Sequence, residues 1–298
     1  MSSISAGVTT GTGLVHTSDT TGDLVLKTGA SATTAMTISG TDQSVKFVGA
    51  MNLRSYLAGL TLSTAGSSAT MSIAAGVCTD STNVSGMTLA ATSKTTSAWA
   101  LGAAAGGLDT GTIANSTWYH FFVIQRPDTG VVDALISLSP TAPTMPTNYT
   151  LFRRIGSGKT NGSAQWTSFT QTGDYFVLKT SVVDVQTNNP GTASVTATLA
   201  SVPTGVKVEA KILSVIVSST AGNYFYWLRD LSSDDEAPVA TNLIYASQTA
   251  GASFGGNMVS VVMTNTSAQI GYRCNASDAN TTFQIRTMAY YDRRGQDA

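Results

Sequence analysis

The sequence predicts an all-β protein: a short-stranded N-terminal arm followed by a β-sandwich or jelly-roll-like body. Three observations carry that expectation. Apolar residues recur with a period of two along short runs, and almost nowhere with the 3.6-residue spacing of a helix. Gly, Pro, Asn and Asp stand between the runs, where turns need them. Charged residues make up only 11% of the 298 positions, against about 25% in an average soluble domain. Thr, Ser, Gly and Ala fill the gap, and a surface with few charges suits stacked strands and contacts between identical subunits.

Residues 1–50 form the arm. Asp23–Lys27, Ala35–Ile38 and Val45–Val48 read as strands, separated by turn segments beginning at Gly29 and Gly40. Period two places Leu24 with Leu26, Met36 with Ile38, and Val45 with Phe47 on a common face. Two apolar side chains per strand cannot close a core. The arm therefore either stays unpacked or packs against copies of itself or a partner, and its regular alternation favours packing. These six residues are the candidate oligomerisation and docking residues.

Residues 51–298 form the body, and a further boundary can fall near 186–192. Met51–Leu60 is a short apolar joint with one helical option. Residues 61–112 are rich in small residues with isolated strand signals such as Ala69–Ile73, and Trp99–Gly107 reads as a loop. Thr117–Ile124 is apolar on both faces, as a central strand should be. Pro127-Asp128-Thr129-Gly130 is a turn, since Pro fixes φ, Asp accepts backbone hydrogen bonds and Gly tolerates positive φ. Val131–Leu138 returns from it. Three prolines in Ser139–Pro146 remove ladder donors, so that segment crosses the surface.

Strands are then expected at Tyr149–Ile155, Tyr175–Val185, Ser194–Leu199, Val206–Val217 and Tyr224–Leu228. Leu243–Ala246, Met258–Met263, Gln269–Cys274 and Thr282–Tyr291 complete the set. Within Val206–Val217 the apolar set changes parity after Ile212, which predicts a β-bulge there. About ten strands at regular spacing indicate a two-layer body.

Candidate chemistry is sparse. Ile155–Thr160 ends like a phosphate-binding P-loop, but Arg153 stands where the first glycine belongs, and a hairpin tip is expected. Gly251-Ala252-Ser253-Phe254-Gly255 fits the nucleophile-elbow pattern, yet His16 and His120 both precede the serine, opposite to the hydrolase order. His120 lies in the most apolar strand and reads as a satisfied core residue. Asp234-Asp235-Glu236 is the one acidic cluster; it lacks the alternation and glycine of a calcium loop, so a solvated turn is expected. Neither a cofactor nor a metal is expected.

Alternation along Asn223–Arg229 buries one of the sets Tyr224/Tyr226/Leu228 and Phe225/Trp227, leaving open whether the other faces solvent. Tyr224, Tyr226 and Trp227 are therefore candidate surface-recognition residues. Cys78 and Cys274 match no zinc spacing and are expected as buried free thiols. A net charge of −1 recruits no polyanion. The basic pairs Arg153-Arg154 and Arg293-Arg294 read as solvated strand edges, so no nucleic acid is expected. No run approaches ~18 apolar residues, so no membrane insertion is expected. The start Met1-Ser-Ser-Ile-Ser lacks the charge and apolar core of a signal peptide.

Two stretches resemble bacteriophage virion proteins. His16–Gly29 through Ala35–Ile38 and Ser44–Phe47 is similar to the N-terminal segment of many tail-fibre and tail-associated proteins. Asn115–His120, Thr129–Ile136, Ala142–Tyr149 and Arg153–Gly156 together resemble a β-rich module of phage structural proteins. The resemblance implies a homotrimer, with an N-terminal part docked on other virion proteins and a body facing outward, where a host-surface glycan or protein would be met. It carries over no catalytic residue. A capsid decoration or head-fibre protein is the alternative, and a polysaccharide-degrading tailspike a third reading. The expected location is the virion, assembled in the host cytoplasm.

Overall fold

A computed structural model describes residues 2–5, 15–17, 24–28, 33–38, 45–47, 54–220, 222–239, 244–245, 254–275 and 278–296. The described residues are all-β, with no helix among them. The arm is one five-stranded sheet in the order Val15–Thr17, Ser2–Ser5, Leu24–Thr28, Thr33–Ile38, Val45–Phe47.

The body begins with a three-stranded sheet of Gly86–Leu89, Gly76–Thr79 and Leu57–Gly59. A seven-stranded sheet follows, in the order Leu151–Lys159, Trp118–Gln125, Val132–Ser137, Ala105–Leu108, Thr92–Ala98, Thr70–Ile73, Leu62–Ser63. Its centre is the anticipated hairpin, paired from His120↔Ser137 to Gln125↔Val132. The turn closes as its sequence requires: Arg126 N donates to the Val131 carbonyl at 2.9 Å, and Gly130 takes φ 74°.

The C-terminal part is a sandwich. One layer is the antiparallel sheet Phe169–Thr172, Tyr175–Asn188, Thr281–Tyr291, Glu209–Ser218, Phe254–Met263. The other is Val195–Thr198, Gln269–Cys274, Phe225–Arg229, Ile244–Tyr245. Phe283 of the first layer meets Tyr226 and Tyr272 of the second, with ring centroids 5.2 and 4.8 Å apart. Trp118 of the seven-stranded sheet meets Tyr290 of the sandwich edge-on at 5.9 Å, and Tyr290 stacks on Phe176 of its own sheet at 5.0 Å. One continuous core runs from Leu60 to Tyr290. Residues 186–188 still lie inside the strand Tyr175–Asn188.

Several expectations change. The joint Met51–Leu60 is not helical where described: Leu57–Gly59 is a strand and Leu60 is buried. Residues 61–112 hold six strands rather than isolated signals. Ala105–Leu108 lies inside the seven-stranded sheet although its glycines suggested a loop. The glycines are there for space: a Cβ on Gly106 would fall 1.9 Å from the Ala98 carbonyl oxygen, and one on Gly107 2.8 Å from Ile136 Cδ1.

Likewise Ile155–Lys159 is strand, not a hairpin tip. Gly156 and Gly158 leave room for Leu62, Phe121 and Met71, and the turn falls after them, where Asn161 Oδ1 accepts from Ser163 N at 2.8 Å. Glu209–Ser218 itself alternates without a parity change. The irregularity beside Ile212 sits on its partner, where Lys211 faces Ala289, Ile212 faces Thr287, and Met288 is the extra residue.

Candidate functional site

Backbone pairing in the arm brings the six apolar candidates together. Leu26, Met36 and Phe47 stand opposite one another across three strands, and Leu24, Ile38 and Val45 form the next row. Directly paired residues project to the same face of a sheet, so Leu26 with Met36, and Leu24 with Ile38 and Val45, join the stripes inferred strand by strand. In backbone register Ile4 pairs with Leu26. The period-two argument missed it because Ser2–Ser5 carries a single apolar residue. Leu24, Leu26, Met36 and Ile38 are half-buried and Val45 is 50% exposed, while Val25, on the opposite face, is buried. Val45 also lines a cavity with Tyr56 and Val84, which are 43% and 49% exposed.

Corrections concern the aromatic run. Tyr224 and Tyr226 are 4% and 0% exposed and belong to the core, so they are not available for surface recognition. Their hydroxyls are satisfied internally, Tyr226 by Ser214 Oγ at 3.0 Å and Tyr224 by Asp278 Oδ2 at 3.1 Å. Trp227 lies on the other face, half-buried, with its indole Nε1 sealed and without an acceptor. In the acidic turn, Asp235 receives Arg273 Nη1 at 2.9 Å. Ser253 lies outside the described residues, and Phe254 and Gly255 open a strand rather than a helix.

The basic pairs differ most from the solvated strand edges their sequence predicts. Arg153, Arg154 and Arg294 are buried, not solvated. Arg154 donates through Nη1 to Asp292 Oδ1 at 2.8 Å, and its Nη2 pairs with the second Asp292 oxygen. Its Nε donates to His120 Nδ1 at 3.1 Å, and Nη2 to Ser157 Oγ at 2.6 Å. Arg294 donates to Asp174 Oδ1 at 2.8 Å and to the Gly59 carbonyl at 2.9 Å. These bonds clamp the C-terminal segment across the seven-stranded sheet. Lys94 is a further buried cation, its ammonium satisfied by Asp133 Oδ2 at 2.7 Å and the carbonyls of Ala100 and Gly102 at 2.8 and 3.0 Å.

His120 and Ser157 are 3.0 Å apart, the spacing of a nucleophile and its base. The chemistry does not follow. The Nδ1 lone pair that a base would use already accepts from Arg154, and burial followed by the Arg154 charge pulls the imidazole down to about 3. Both residues are sealed inside the protein. Cys78 and Cys274 are buried and free, in different sheets, and burial pushes both thiols up to about 12. No group of metal-ligating residues occurs among the described residues.

The fold and these surfaces define an all-β, multi-sheet protein with an apolar arm. No family model and no curated protein matches the chain. Among solved structures it is similar to a chain of the crystal structure of the T13 IBDV viral particle, with 11% identity over 83% of this chain and 73% of that one. The TM-score is 0.23, which transfers neither fold nor function.

Proposed function

We propose that this chain is a non-enzymatic structural component of a bacteriophage particle, a homotrimeric tail fibre or tail-associated protein. The arm docks on other virion proteins and the body faces outward toward the host surface. The observation that carries the reading is the arm patch: two apolar rows in backbone register, in which Leu24, Leu26, Met36 and Ile38 are only half-buried and Val45 is exposed. Burying such rows against identical chains gains about 25 cal/mol per Å² of apolar surface, and so few charges resist that contact.

A second surface supports self-association. Phe254–Met263 ends its sheet among the described residues, and Met258, Val259, Val261 and Met263 are 39–52% exposed along it. A long apolar edge is normally covered or charged in a monomer. Buried free thiols fit assembly in a reducing cytoplasm before release in the virion.

The mass of the native full-length chain tests the reading. A trimer is expected; a stable monomer at micromolar concentration would sink it. A capsid decoration or head-fibre protein would use the same arm, and locating the chain on the particle by electron microscopy separates the two.

A further inference from the structure

A cleft of about 550 Å³ lies where the seven-stranded sheet meets the sandwich. Trp118 and Lys159 stand on its wall and are direct partners across Trp118–Gln125 and Leu151–Lys159, so their side chains leave on the same face. One carbonyl holds both: Ala200 accepts from Trp118 Nε1 at 3.1 Å and from Lys159 Nζ at 2.7 Å. The ammonium stands 6.0 Å from the indole centroid, and the indole in turn meets Tyr290 edge-on. Both groups are therefore fixed before anything binds, which lowers the ordering cost of a ligand.

Lys159 is half-buried, and Ala200 takes one of its three N–H groups, so two remain open. Asp184 is the acid whose charge reaches it, but Asp184 does not line the cleft. Its carboxylate is turned to Ser201, whose N and Oγ donate to Oδ1 at 3.1 and 2.8 Å, and to Thr287 Oγ1. No Asp or Glu stands among the described residues that line the cleft. An ammonium with open donors and no acid beside it favours an anion.

The facing wall comes from Tyr175–Asn188. There Phe176 pairs with buried Tyr290 and Val182 with buried Thr287, so Leu178, Thr180 and Val182 turn toward the cleft, while Lys179, out of step with them, turns away. Ser67, Ser116 and Thr180 are exposed at the rim, and their hydroxyls hold no partner among the described residues. Thr160 and Thr167 are instead committed to the frame, donating to the Ala114 and Lys159 carbonyls at 2.6 and 2.9 Å. The cleft thus offers an indole, two aliphatic side chains, open hydroxyls and one cation, a combination that suits a sugar ring carrying a carboxylate.

We propose that this cleft binds an acidic saccharide, its carboxylate on the open N–H groups of Lys159, its ring beside Trp118 and its hydroxyls at the rim. That the saccharide belongs to a host surface rests on the outward-facing body proposed above, whereas binding itself does not, so a failed titration and a monomeric native mass are separate outcomes. Calorimetric titration of the full-length protein with sialyllactose, a glucuronate-containing disaccharide, lactose and inorganic phosphate at matched ionic strength tests it. Saturable binding of at least one acidic saccharide is expected, with lactose about tenfold weaker or more. Lys159→Met removes the cation and should weaken that binding about tenfold. Thr180→Trp, at an exposed position, should fill the cleft and abolish it. Lys207→Gln, outside the lining, should change nothing. Melting curves check that each variant folds, and should Lys159→Met fail to fold, Thr180→Trp decides. No binding of either acidic saccharide, binding unchanged in a folded Lys159 or Thr180 variant, or an equal loss in Lys207→Gln overturns the proposal. Lactose bound as tightly as the acidic saccharides, or phosphate bound in place of both, overturns the acidic-saccharide assignment.

Discussion

The arm and the body are built from the same kind of strand and differ in what covers them. In the arm, Leu24, Leu26, Met36 and Ile38 share a face yet stay half-buried, and the described residues there form a single sheet. In the body, Phe283 finds Tyr226 and Tyr272 across the sandwich, and Trp118 of the seven-stranded sheet meets Tyr290 of the sandwich. Alternating patterns alone do not make a core; two faces must meet. The body supplies both of them, and under the proposed function a second chain covers the apolar rows of the arm.

The largest expected effect breaks that contrast outright. Deleting residues 1–48 should leave the body folded with its melting temperature nearly unchanged, while the multimer falls to monomer and incorporation into particles is lost. Light scattering and particle composition measure this. If the truncated chain stays trimeric, assembly resides in the exposed edge Phe254–Met263, and Val261→Lys becomes the decisive variant.

The next effect belongs to the body. Asp292→Ala leaves Arg154 buried without its carboxylate and should cost about 3–5 kcal/mol, read by urea unfolding. A loss below about 1 kcal/mol would mean that the C-terminal clamp is open to water.

A smaller effect is pH-dependent. His120 has its folded value depressed to about 3, by burial first and then by Arg154, from an ordinary 6.5. Between those values the unfolded chain binds the proton that the folded one refuses. Its contribution is therefore complete above pH 6.5 and is lost as pH falls toward 3. The slope has an upper bound of about 1.4 kcal/mol per pH unit. Asp292, held low by Arg154 against the opposing effect of burial, adds loss in the same direction only near and below pH 3.8. His120→Gln should flatten the slope between pH 6 and 4; an unchanged slope would place the titration elsewhere. The smallest effect is on the thiols. Cys78 and Cys274 should resist a thiol reagent at pH 8 in the native protein and react on unfolding. Rapid native labelling would contradict their burial.

Much of the ladder was legible. The hairpin Trp118–Gln125 to Val132–Ser137 could be placed because a fully apolar strand, a Pro-Asp-Thr-Gly turn and a second apolar run each have one cheap conformation. Ala105–Leu108 was not legible, since glycine signals a turn unless the backbone that crowds it is known. The bulge near Ile212 was placed at the right level but on the wrong strand. A parity change along Val206–Val217 looks the same whether the strand bulges or has apolar neighbours on both faces.

Sequence alone settled the strand periods and the arm stripe, because both depend on residues two apart along one strand. The P-loop match lacked its first glycine, and its residues Ile155–Lys159 are strand. Tertiary structure decided everything that depends on a partner strand. It chose which face of Tyr224–Leu228 is buried, and it merged six arm residues into one patch by register. It also turned arginines that read as solvated into buried ones, with Arg154 clamped on Asp292 and Arg294 on Asp174. Burial and counter-charge belong to the fold, and an arginine has neither until the chain around it has closed.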